Sequence, residues 1–502
     1  VFVDPSRVED VDELAAQLST RLNVPAETLV EMIRRRPGSR FVVVARAVDA
    51  VTAAAVESMH HPAVGLDQRP ARTYPLNESM AHVLGWVGRD GIGLEGVELF
   101  YEKHLRGSDG RRGTIRDARR RALGRARSEP KPAIDGGSVV LTLDAEIQRI
   151  AEQALERSVE WVDAESGVAL VMSPRTGHVL AMAGRPTYDL NYASSAPASA
   201  RRNRIITDPT EPGSTFKPFL ACGALEGGFV STTEKIDCHM GRHFFGRRLV
   251  KDTSPHGLMD LKGIIARSSN IGMGLIAGRM GNAALHDIIR RFGFGATTGI
   301  ECIGESPGVV RSIDKWGTLS TQSVAMGYEV SVTPLQLITA FSAIVNDGLL
   351  LKPRLVKQLL APSGAVVASF EEPEVVRRVV GSDVARYVAQ ELLVAVVEEG
   401  GGHRAKLDRY RVLGKTGTAK LTYQDRAGYE PGAYLGMFIG AAPATRPELV
   451  VLVMIRRPDA TTAYYGGAVA APAVGEILDA ALSYLGIPGD RTNAGQLVTY
   501  RD

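Results

Sequence analysis

The sequence EPGSTFKPFL, residues 211–220, has helix-breaking prolines on either side of a serine and a lysine. Proline is tolerated in a helix only within the first turn, where its missing N–H has no partner to lose. Pro218 therefore predicts a helix that starts at or just before Ser214, and Gly213 allows the backbone to turn sharply into it. This arrangement puts Ser214 at the N-terminal tip of the helix and Lys217 one turn further on the same face.

The chemistry of this helix tip depends on the charge state of Lys217. The N-terminal end of a helix carries a partial positive charge, and burial also disfavours an ammonium group, so we expect a lowered Lys217 pKa. A neutral amine beside the Ser214 hydroxyl is a general base beside a nucleophile. Alone, the Ser-x-x-Lys pattern is weak, because a serine before a helix is most often only a cap.

Two further motifs strengthen this interpretation. The sequence ARSSNIG places Ser268 and Asn270 between two apolar segments with helical spacing, which predicts a turn between helices. The β-rich sequence LGKTGTAK contains four more candidates: Lys415, Thr416, Gly417 and Thr418. Together the motifs match the Ser-x-x-Lys, Ser-x-Asn and Lys-Thr-Gly set of serine penicillin-recognising enzymes.

Strand patterns occur on both sides of a helical block. The stretches GVALVMSPRTGHVLAMAG before the block, and YRVLGKTGTAK, AYLGMFIGAAP and ELVVLVMIRRP after it, predict strands. This order predicts an α/β fold of the α+β type, in which one sheet carries helices and the block is inserted between its strands. We predict an N-terminal non-catalytic domain at 1–135, a catalytic domain at 136–486 and a polar tail at 487–502.

Composition excludes several classes of function. The 59 basic and 56 acidic side chains leave a net charge of +3, which gives no reason to expect nucleic-acid binding. The three widely spaced cysteines do not suggest a disulfide framework. No apolar run approaches the roughly 18 residues that a membrane helix needs. The chain opens with VFVDPSRV rather than a methionine, so we expect its natural start to be missing.

In these motifs the chain resembles a class B penicillin-binding protein, a peptidoglycan D,D-transpeptidase. The resemblance extends from Arg69 to Gly486, and residues 1–68 match only loosely. RPARTYP, HVLGWVG and LTLDAEIQRIAEQAL are similar to the family's N-terminal motifs, and YYGGAVAAPAVGEILDAAL to the closing helix of its division-type branch. The resemblance implies a transpeptidase domain with a central antiparallel sheet flanked by helices, and an elongated mixed α/β pedestal domain with a dimerisation-like role.

The resemblance also implies a role for each residue around the serine. Ser214 would attack the carbonyl of the penultimate D-alanine in a D-Ala-D-Ala stem peptide, and Lys217 would take its proton. Ser268 would hydrogen-bond to both lysines and relay a proton to the leaving D-alanine. Asn270 would hold a substrate amide.

On the strand side, the resemblance implies that Lys415 attracts the terminal carboxylate of the substrate. Thr416 and Thr418 would donate to that carboxylate, and Gly417 would keep the strand surface clear. The backbone N–H groups of Ser214 and Thr418 would form the oxyanion hole. β-Lactam antibiotics would mimic the dipeptide and leave the serine acylated, and neither a metal nor another cofactor is implied.

Partners and location follow from the resemblance as well. It implies peptidoglycan stem peptides and β-lactams as ligands, and a membrane glycosyltransferase and division-complex proteins as partners in septal wall synthesis. The family usually has one N-terminal membrane anchor and an extracytoplasmic, periplasmic body. We therefore expect a single-pass protein of the cell membrane whose anchor is absent from this sequence.

Two segments have competing interpretations. The stretch IDCHMGRHFFGRRLVKDTSPHG contains residue types that bind metals, namely Asp237, Cys238, His239, His243, Asp252 and His256. Their spacing is not a standard zinc pattern, so we favour a polar loop beside the cleft and predict no metal. Residues 110–132 hold eight arginines, and we favour a solvated arm over contact with membrane phosphates or an acidic partner.

Two alternative functions remain open at this point. With water in place of the acceptor amine, the same residues would serve a D,D-carboxypeptidase, a β-lactamase or a β-lactam sensor. A compact β-lactamase, however, does not need a domain such as 1–135. The other alternative is a non-catalytic scaffold that recruits division proteins, against which the intact Ser214, Lys217 and Lys415 argue.

Overall fold

The structure is a computed structural model that describes residues 1–67, 71–88, 90–111, 114–116, 122–125, 129, 131–423 and 425–491. By its internal contacts the chain divides into two compact units, Val1–Thr73 and Tyr74–Asp502. The domain boundary between residues 135 and 136 stays a prediction. Most arginines of the arginine-rich segment, and residues 492–502 of the polar tail, lie outside the described residues.

The first unit combines a short sheet with helices. Its antiparallel strands are Phe2–Val3 in the middle, with Val42–Val43 and Val64–Gly65 on either side. Its helices are Val11–Leu22, Ala26–Arg34 and Ala50–Glu57. Leu14 and Leu18, one turn apart, bury one helix face against Leu29 and Ile33, as expected for amphipathic helices.

The second unit is built on a sheet that, within the described residues, has five antiparallel strands. In chain order they are β1 (Ser166–Met172), β2 (Val179–Arg185), β3 (Leu413–Thr422), β4 (Tyr429–Ala442) and β5 (Leu449–Arg456). Their spatial order is β3-β4-β5-β1-β2, so β3, which carries the Lys-Thr-Gly motif, lies at one edge. The predicted α+β fold, with strands from both sides of the helical block in one sheet, is confirmed.

Both faces of the sheet are buried, because successive side chains of a strand point to opposite faces. Along β1, Leu170 and Met172 contact one apolar core, whereas Ala169 and Val171 contact the other. The principal helices around these cores are α1 (Ala145–Trp161), α2 (Lys217–Glu226), α3 (Leu261–Ala266), α4 (Asn270–Arg291) and α5 (Ala471–Tyr484). Helices α1 and α5 line one core, and α2, α3 and α4 line the other.

Helix α2 is buried over residues 217–224. Its side chains Phe219 and Leu220 lie in the same core as Phe292 and Phe294, and the Phe219 ring lies 5.0 Å from that of Phe292. A helix that is apolar on all sides belongs in the interior. The first residue of α2, Lys217, is therefore carried into the core with it.

The remaining elements are short, apart from the 12-residue helix Pro334–Val345, which is buried in the core that α2, α3 and α4 line. The other helices are Ala81–Leu84, Gly96–Phe100, Glu102–Leu105, Ala198–Arg201, Arg204–Thr207, Ser320–Ala325, Pro334–Val345, Ser382–Tyr387, Val394–Glu398 and Gly466–Val469. The other strands are Thr114–Arg116, Ala122–Arg125, Ser138–Leu141, Ile236–Asp237, Arg242–Phe245, Arg248–Lys251, Leu258–Met259, Val309–Val310, Val330–Ser331, Leu349–Leu351, Val356–Leu360, Val366–Ser369 and Val375–Arg378. Among the described residues we find no helix with the length and hydrophobicity of a membrane span.

Candidate active site

The serine segment has the backbone that its prolines and glycine predict. A 3₁₀ turn, Gly213–Phe216, runs directly into α2, and Pro218 lies in the first turn of that helix. Gly213 has a φ of +52°, and a Cβ at this position would approach the carbonyl oxygen of Thr418 to 3.1 Å. The glycine therefore lets the segment that carries the half-buried Ser214 lie directly against β3.

The Ser-x-Asn motif forms the predicted turn between two helices. Residues 267–269 join α3 to α4, and Ser269 caps α4 by accepting a hydrogen bond from Gly272 N at 2.9 Å. Ser268 has a φ of +57°, in the left-handed region that non-glycine residues rarely adopt. Such a conformation costs about 1–3 kcal/mol and persists only where the surrounding structure fixes the residue.

Lys217 is completely buried, and its amine contacts this turn. Its Nζ donates to the backbone oxygen of Ser268 at 2.6 Å and to Oδ1 of Asn270 at 2.8 Å, and lies 3.3 Å from Ser268 Oγ. A neutral amine has two N–H donors and one lone pair. Because the two closest oxygens occupy both donors, the lone pair remains available to a hydroxyl group.

Lys415 reaches the same hydroxyl from the sheet. It lies on β3, is completely buried, and donates from Nζ to Ser268 Oγ at 3.0 Å and to the backbone oxygen of Thr416 at 3.1 Å. The Ser268 hydroxyl therefore lies between the amines of Lys217 and Lys415. The structure thus brings together residues from α2, from the turn before α4 and from β3, as the three motifs predict.

Burial controls the charge of both amines. It lowers the pKa of Lys217 to about 7, against which the nearby Asp252 carboxylate acts in the opposite direction. Burial also places the pKa of Lys415 well below its usual range, and the neighbouring Lys217 lowers it further. Two ammonium groups that share one hydroxyl repel each other in a poorly solvated site. The pair can therefore supply a neutral amine near neutral pH, as predicted from the sequence for Lys217.

The rest of the Lys-Thr-Gly strand is fixed by packing. Thr416 and Thr418 are half-buried on β3, and Thr418 Oγ1 accepts a hydrogen bond from Gly466 N at 3.1 Å. A Cβ at Gly417 would approach Thr215 Cγ2 to 2.7 Å and a Met437 side-chain carbon to 2.6 Å. Glycine is therefore already required here by contacts within the protein, and its part in leaving room for substrate stays a prediction.

Comparisons with known proteins agree with this geometry. Residues 167–479 match the penicillin-binding protein transpeptidase domain, and residues 1–141 match the penicillin-binding protein dimerisation domain. The chain belongs to the penicillin-binding protein transpeptidase family. Residues 1–68, whose sequence resembles the family's motifs only loosely, thus fall within the match to the dimerisation domain.

Named relatives cover nearly the whole chain. The chain is 32% identical to a probable peptidoglycan D,D-transpeptidase, PenA, of Neisseria meningitidis over 97% of this chain and 81% of that protein. It is also 32% identical to the peptidoglycan D,D-transpeptidase FtsI of Escherichia coli, over 99% of this chain and 82% of that protein. The crystal structure of penicillin-binding protein 3 from Mycobacterium tuberculosis complexed with aztreonam is similar with a TM-score of 0.74 and 31% identity, over 84% of this chain and 92% of that one.

Asp252 contacts the candidate site in a way that the sequence patterns do not predict. Its Oδ1 accepts from Asn270 N at 2.6 Å and from Ile271 N at 3.1 Å, and its Oδ2 accepts from Ser269 Oγ at 2.5 Å. In the sequence this residue stands out only as one of several polar residues in a loop. No local pattern shows that its carboxylate reaches the first turn of α4.

The sequence patterns also do not predict the contacts of Glu211, which lies just before the Ser214 segment. Its carboxylate accepts from the hydroxyl of Tyr429 and from Glu329 N, both at 2.9 Å. Burial raises the pKa of Glu211. This acid therefore ties the chain just before Ser214 to the start of β4, and a charge pattern in the sequence does not indicate such a contact.

The segment with metal-binding residue types has other contacts. Cys238 is buried, and its thiol lies 3.8 Å from the backbone oxygen of Ile236. The ring of His239 stacks on His243 at 4.3 Å and lies 3.5 Å from the Asp237 carboxylate. Within the described ranges, no three His, Cys, Asp or Glu side chains are grouped closely enough to hold a metal ion.

Proposed function

We propose that Ser214 is the nucleophile through which this peptidoglycan D,D-transpeptidase forms its acyl-enzyme. The observation that carries the proposal is the completely buried Lys217 amine, one turn after Ser214, whose two closest partners are the backbone oxygen of Ser268 and Oδ1 of Asn270. A base with a pKa of about 7 is matched to proton transfer at neutral pH. Relatives named D,D-transpeptidases supply the reaction class.

The acylation step uses both sides of the site. Ser214 Oγ attacks the carbonyl carbon of the penultimate D-alanine while its proton passes to Lys217 Nζ. The C–N bond to the terminal D-alanine then breaks, and its nitrogen takes a proton through the Ser268 hydroxyl. The N–H groups of Ser214 and Thr418 face the developing oxyanion, and such a donor contributes roughly 3 kcal/mol.

Substrate binding completes the charge balance of the site. The terminal carboxylate of the stem peptide lies against Lys415, with hydrogen bonds from Thr416 and Thr418. Because an anion favours the ammonium form, the bound carboxylate raises the Lys415 pKa that burial had lowered. Lys217 is then left as the neutral base, so substrate binding itself assigns the two amines their separate roles.

The acyl-enzyme is resolved by an amine of a second stem peptide, which forms the cross-link and releases Ser214. A β-lactam forms the same ester and blocks the serine. Hydrolysis by water, the carboxypeptidase or β-lactamase reaction, is the competing outcome. The naming of relatives with 32% identity as D,D-transpeptidases favours the cross-linking reaction and argues against a scaffold without activity.

The cellular setting that we propose is septal wall synthesis at an extracytoplasmic membrane surface. The similarity to FtsI and the match of residues 1–141 to the dimerisation domain support this setting. On this proposal, residues 1–135 contact a membrane glycosyltransferase and division-complex proteins, and a single membrane anchor holds the enzyme near them.

Mass spectrometry of the intact protein after incubation with benzylpenicillin tests the proposed nucleophile. We expect one adduct, on the peptide that contains Ser214, and none with Ser214→Ala. An adduct on another residue, or equal labelling of Ser214→Ala, would refute the assignment. Incubation with a D-Ala-D-Ala stem peptide and an acceptor amine then separates cross-linked product from hydrolysed peptide.

A further inference from the structure

Asp252 belongs to a part of the chain that is separate from the helix it contacts. It follows the hairpin formed by Arg242–Phe245 and Arg248–Lys251, and its own backbone N–H donates to Gly241 O at 3.1 Å. The hairpin, whose Phe245 packs against Gly274 of α4, therefore holds the backbone of Asp252 from outside the helix. A carboxylate anchored in this way can hold the first turn of α4 in place from outside the helix.

The carboxylate adds to a cap that is already present. Ser269 Oγ accepts from Gly272 N in the usual capping position, which leaves the first N–H groups of α4 unsatisfied. Asp252 accepts from two of these, Asn270 N and Ile271 N, and from the hydroxyl of the cap itself. Asp252 therefore satisfies two N–H groups that the Ser269 cap does not reach, and in doing so it also fixes the position of Asn270.

Asn270 links the Asp252 carboxylate to the Lys217 amine. The backbone N–H of Asn270 binds Asp252, whereas its side-chain oxygen accepts from Lys217 Nζ at 2.8 Å. One residue therefore separates the carboxylate from the buried amine. Among the described residues, Lys415 from β3 and Asp252 from the hairpin are the charged groups that act on Lys217, and the thiol of Cys238 also lies in the field of Asp252. Lys251, which precedes the acid, is exposed.

We propose that Asp252 is a positioning residue for transpeptidation, which holds the Ser268–Asn270 turn against Lys217 and places a negative charge one residue away from this amine. The proposal rests on the proposed function of Lys217 as the base. Without this charge, two buried amines face each other uncompensated. With it, the base stays strong enough to accept the proton of Ser214.

The sign of the expected pH effect follows from the charge of the active form. Acylation requires neutral Lys217, so its rate rises with pH through the pKa of about 7. A nearby carboxylate favours the ammonium form, so its removal lowers the Lys217 pKa further. The rising limb of the pH profile then moves to lower pH, by about one unit, which is a typical effect of one nearby opposite charge.

Two substitutions separate charge from hydrogen bonding. Asp252→Asn keeps an oxygen that can accept from Asn270 N but removes the charge, whereas Asp252→Ala removes both. Asp260→Asn is the matched control, because Asp260 caps α3 by accepting from Gly263 N at 2.9 Å and pairs with the exposed Lys235. We measure the second-order rate of acylation by a fluorescent penicillin from about pH 5 to about pH 9, together with thermal unfolding.

We expect Asp252→Asn to shift the rising limb to lower pH and to reduce the plateau rate about tenfold, and Asp252→Ala to reduce it about a hundredfold, because the turn loses its external support. Asp260→Asn keeps the limb at the wild-type pH. A folded Asp252→Asn protein with an unmoved limb would overturn the proposal. Should that variant not fold, Ser269→Ala carries the test: it keeps the charge, so it must lower the plateau without moving the limb, and an unchanged plateau overturns the positioning role.

The same experiment separates this inference from the function on which it rests. If wild-type protein is not acylated at Ser214, the proposed function fails and Asp252 has nothing to position. If wild-type protein is acylated with a limb near the expected pH, and Asp252→Asn leaves that limb in place, only the role of Asp252 fails.

Discussion

Two buried basic clusters in the second unit differ in how their charge is balanced. The Arg354 guanidinium donates to Glu301 at 2.8 Å and also pairs with Glu374, and the Arg354 and Glu301 side chains are only 13% and 5% exposed. Lys217 and Lys415 are buried more completely. Yet within the described ranges neither lysine forms an ion pair with a carboxylate, and their nearest partners are hydroxyl, amide and carbonyl oxygens.

The difference indicates that burial makes Arg354 part of the folded framework and suits Lys217 to act as a base. An arginine cannot give up its proton in a protein, so a buried one needs carboxylates and becomes part of the framework. A lysine that is deprived of water and forms no ion pair lowers its pKa and becomes a neutral base. The predictions below test this contrast from the largest expected effect to the smallest.

Removal of the Lys217 amine, which forms no ion pair within the described residues, should have the largest effect. We expect Lys217→Ala to lower the rate of acylation by penicillin at least about a thousandfold, because no other group takes the proton of Ser214. Lys217→Arg should lose as much, since a guanidinium stays charged. Lys235→Ala, at an exposed lysine, is the control and should label at the wild-type rate. Wild-type labelling of Lys217→Ala would show that the contrast has no catalytic meaning.

Removal of the paired cation should instead affect stability. Arg354→Ala leaves Glu301 buried without its partner, which costs about 3 kcal/mol of unfolding free energy in denaturant titration. Replacement of Arg354 by Met together with Glu301 by Leu should recover much of this loss. Neither protein should show a shifted pH profile of acylation, and a shift would place this cluster in the catalytic chemistry.

The pH profile of the wild-type protein sharpens the same contrast. Below the Lys217 pKa of about 7 we expect the acylation rate to rise about tenfold per pH unit, and above it to level off, because only the neutral amine accepts a proton. Stopped-flow measurement with a chromogenic β-lactam checks this. A rate that is constant across this range would mean that the base titrates elsewhere.

The smallest effect is expected at the contact between Glu211 and Tyr429. Tyr429→Phe removes one partly exposed hydrogen bond at 2.9 Å and keeps the ring beside Tyr328, so it should change stability by about 1 kcal/mol or less and acylation only a few-fold. Tyr484→Phe is the control for stability, because it removes the hydroxyl at the end of α5 that donates to Asp144. A loss of acylation as large as that of Lys217→Ala would assign Glu211 a direct part in the reaction.

Local signals in the sequence predicted much of this architecture. The spacing of Ser214, Lys217 and Pro218 fixes a helix tip within a few residues, and apolar stretches on both sides of a helical block predict the sheet. Both inferences depend on interactions between neighbours in the chain or on simple periodicity. Each motif carries its own turn, helix or strand signal, but the expectation that the three meet at one site came from the resemblance to serine penicillin-recognising enzymes.

Contacts between distant residues could not be predicted in this way. Asp252 binds Asn270, 18 residues later, and Glu211 binds Tyr429, 218 residues later. Nothing in the residues beside either acid indicates its partner. The depressed pKa of Lys415 likewise depends on its burial and then on its proximity to Lys217, both of which only the assembled sheet and helix produce.

The order of the sheet has a consequence for the synthesis of this protein. Strands β1 and β2 precede Ser214 in the chain, but the edge strand β3 joins them only through β4 and β5, and all three of these strands follow the serine. Closure of such distant pairings is slow, because the intervening loop entropy is lost before any contact is gained. Ser214 is thus synthesised well before the strand that lies against its segment, and the candidate site is assembled only after β3 has joined the sheet through β4 and β5.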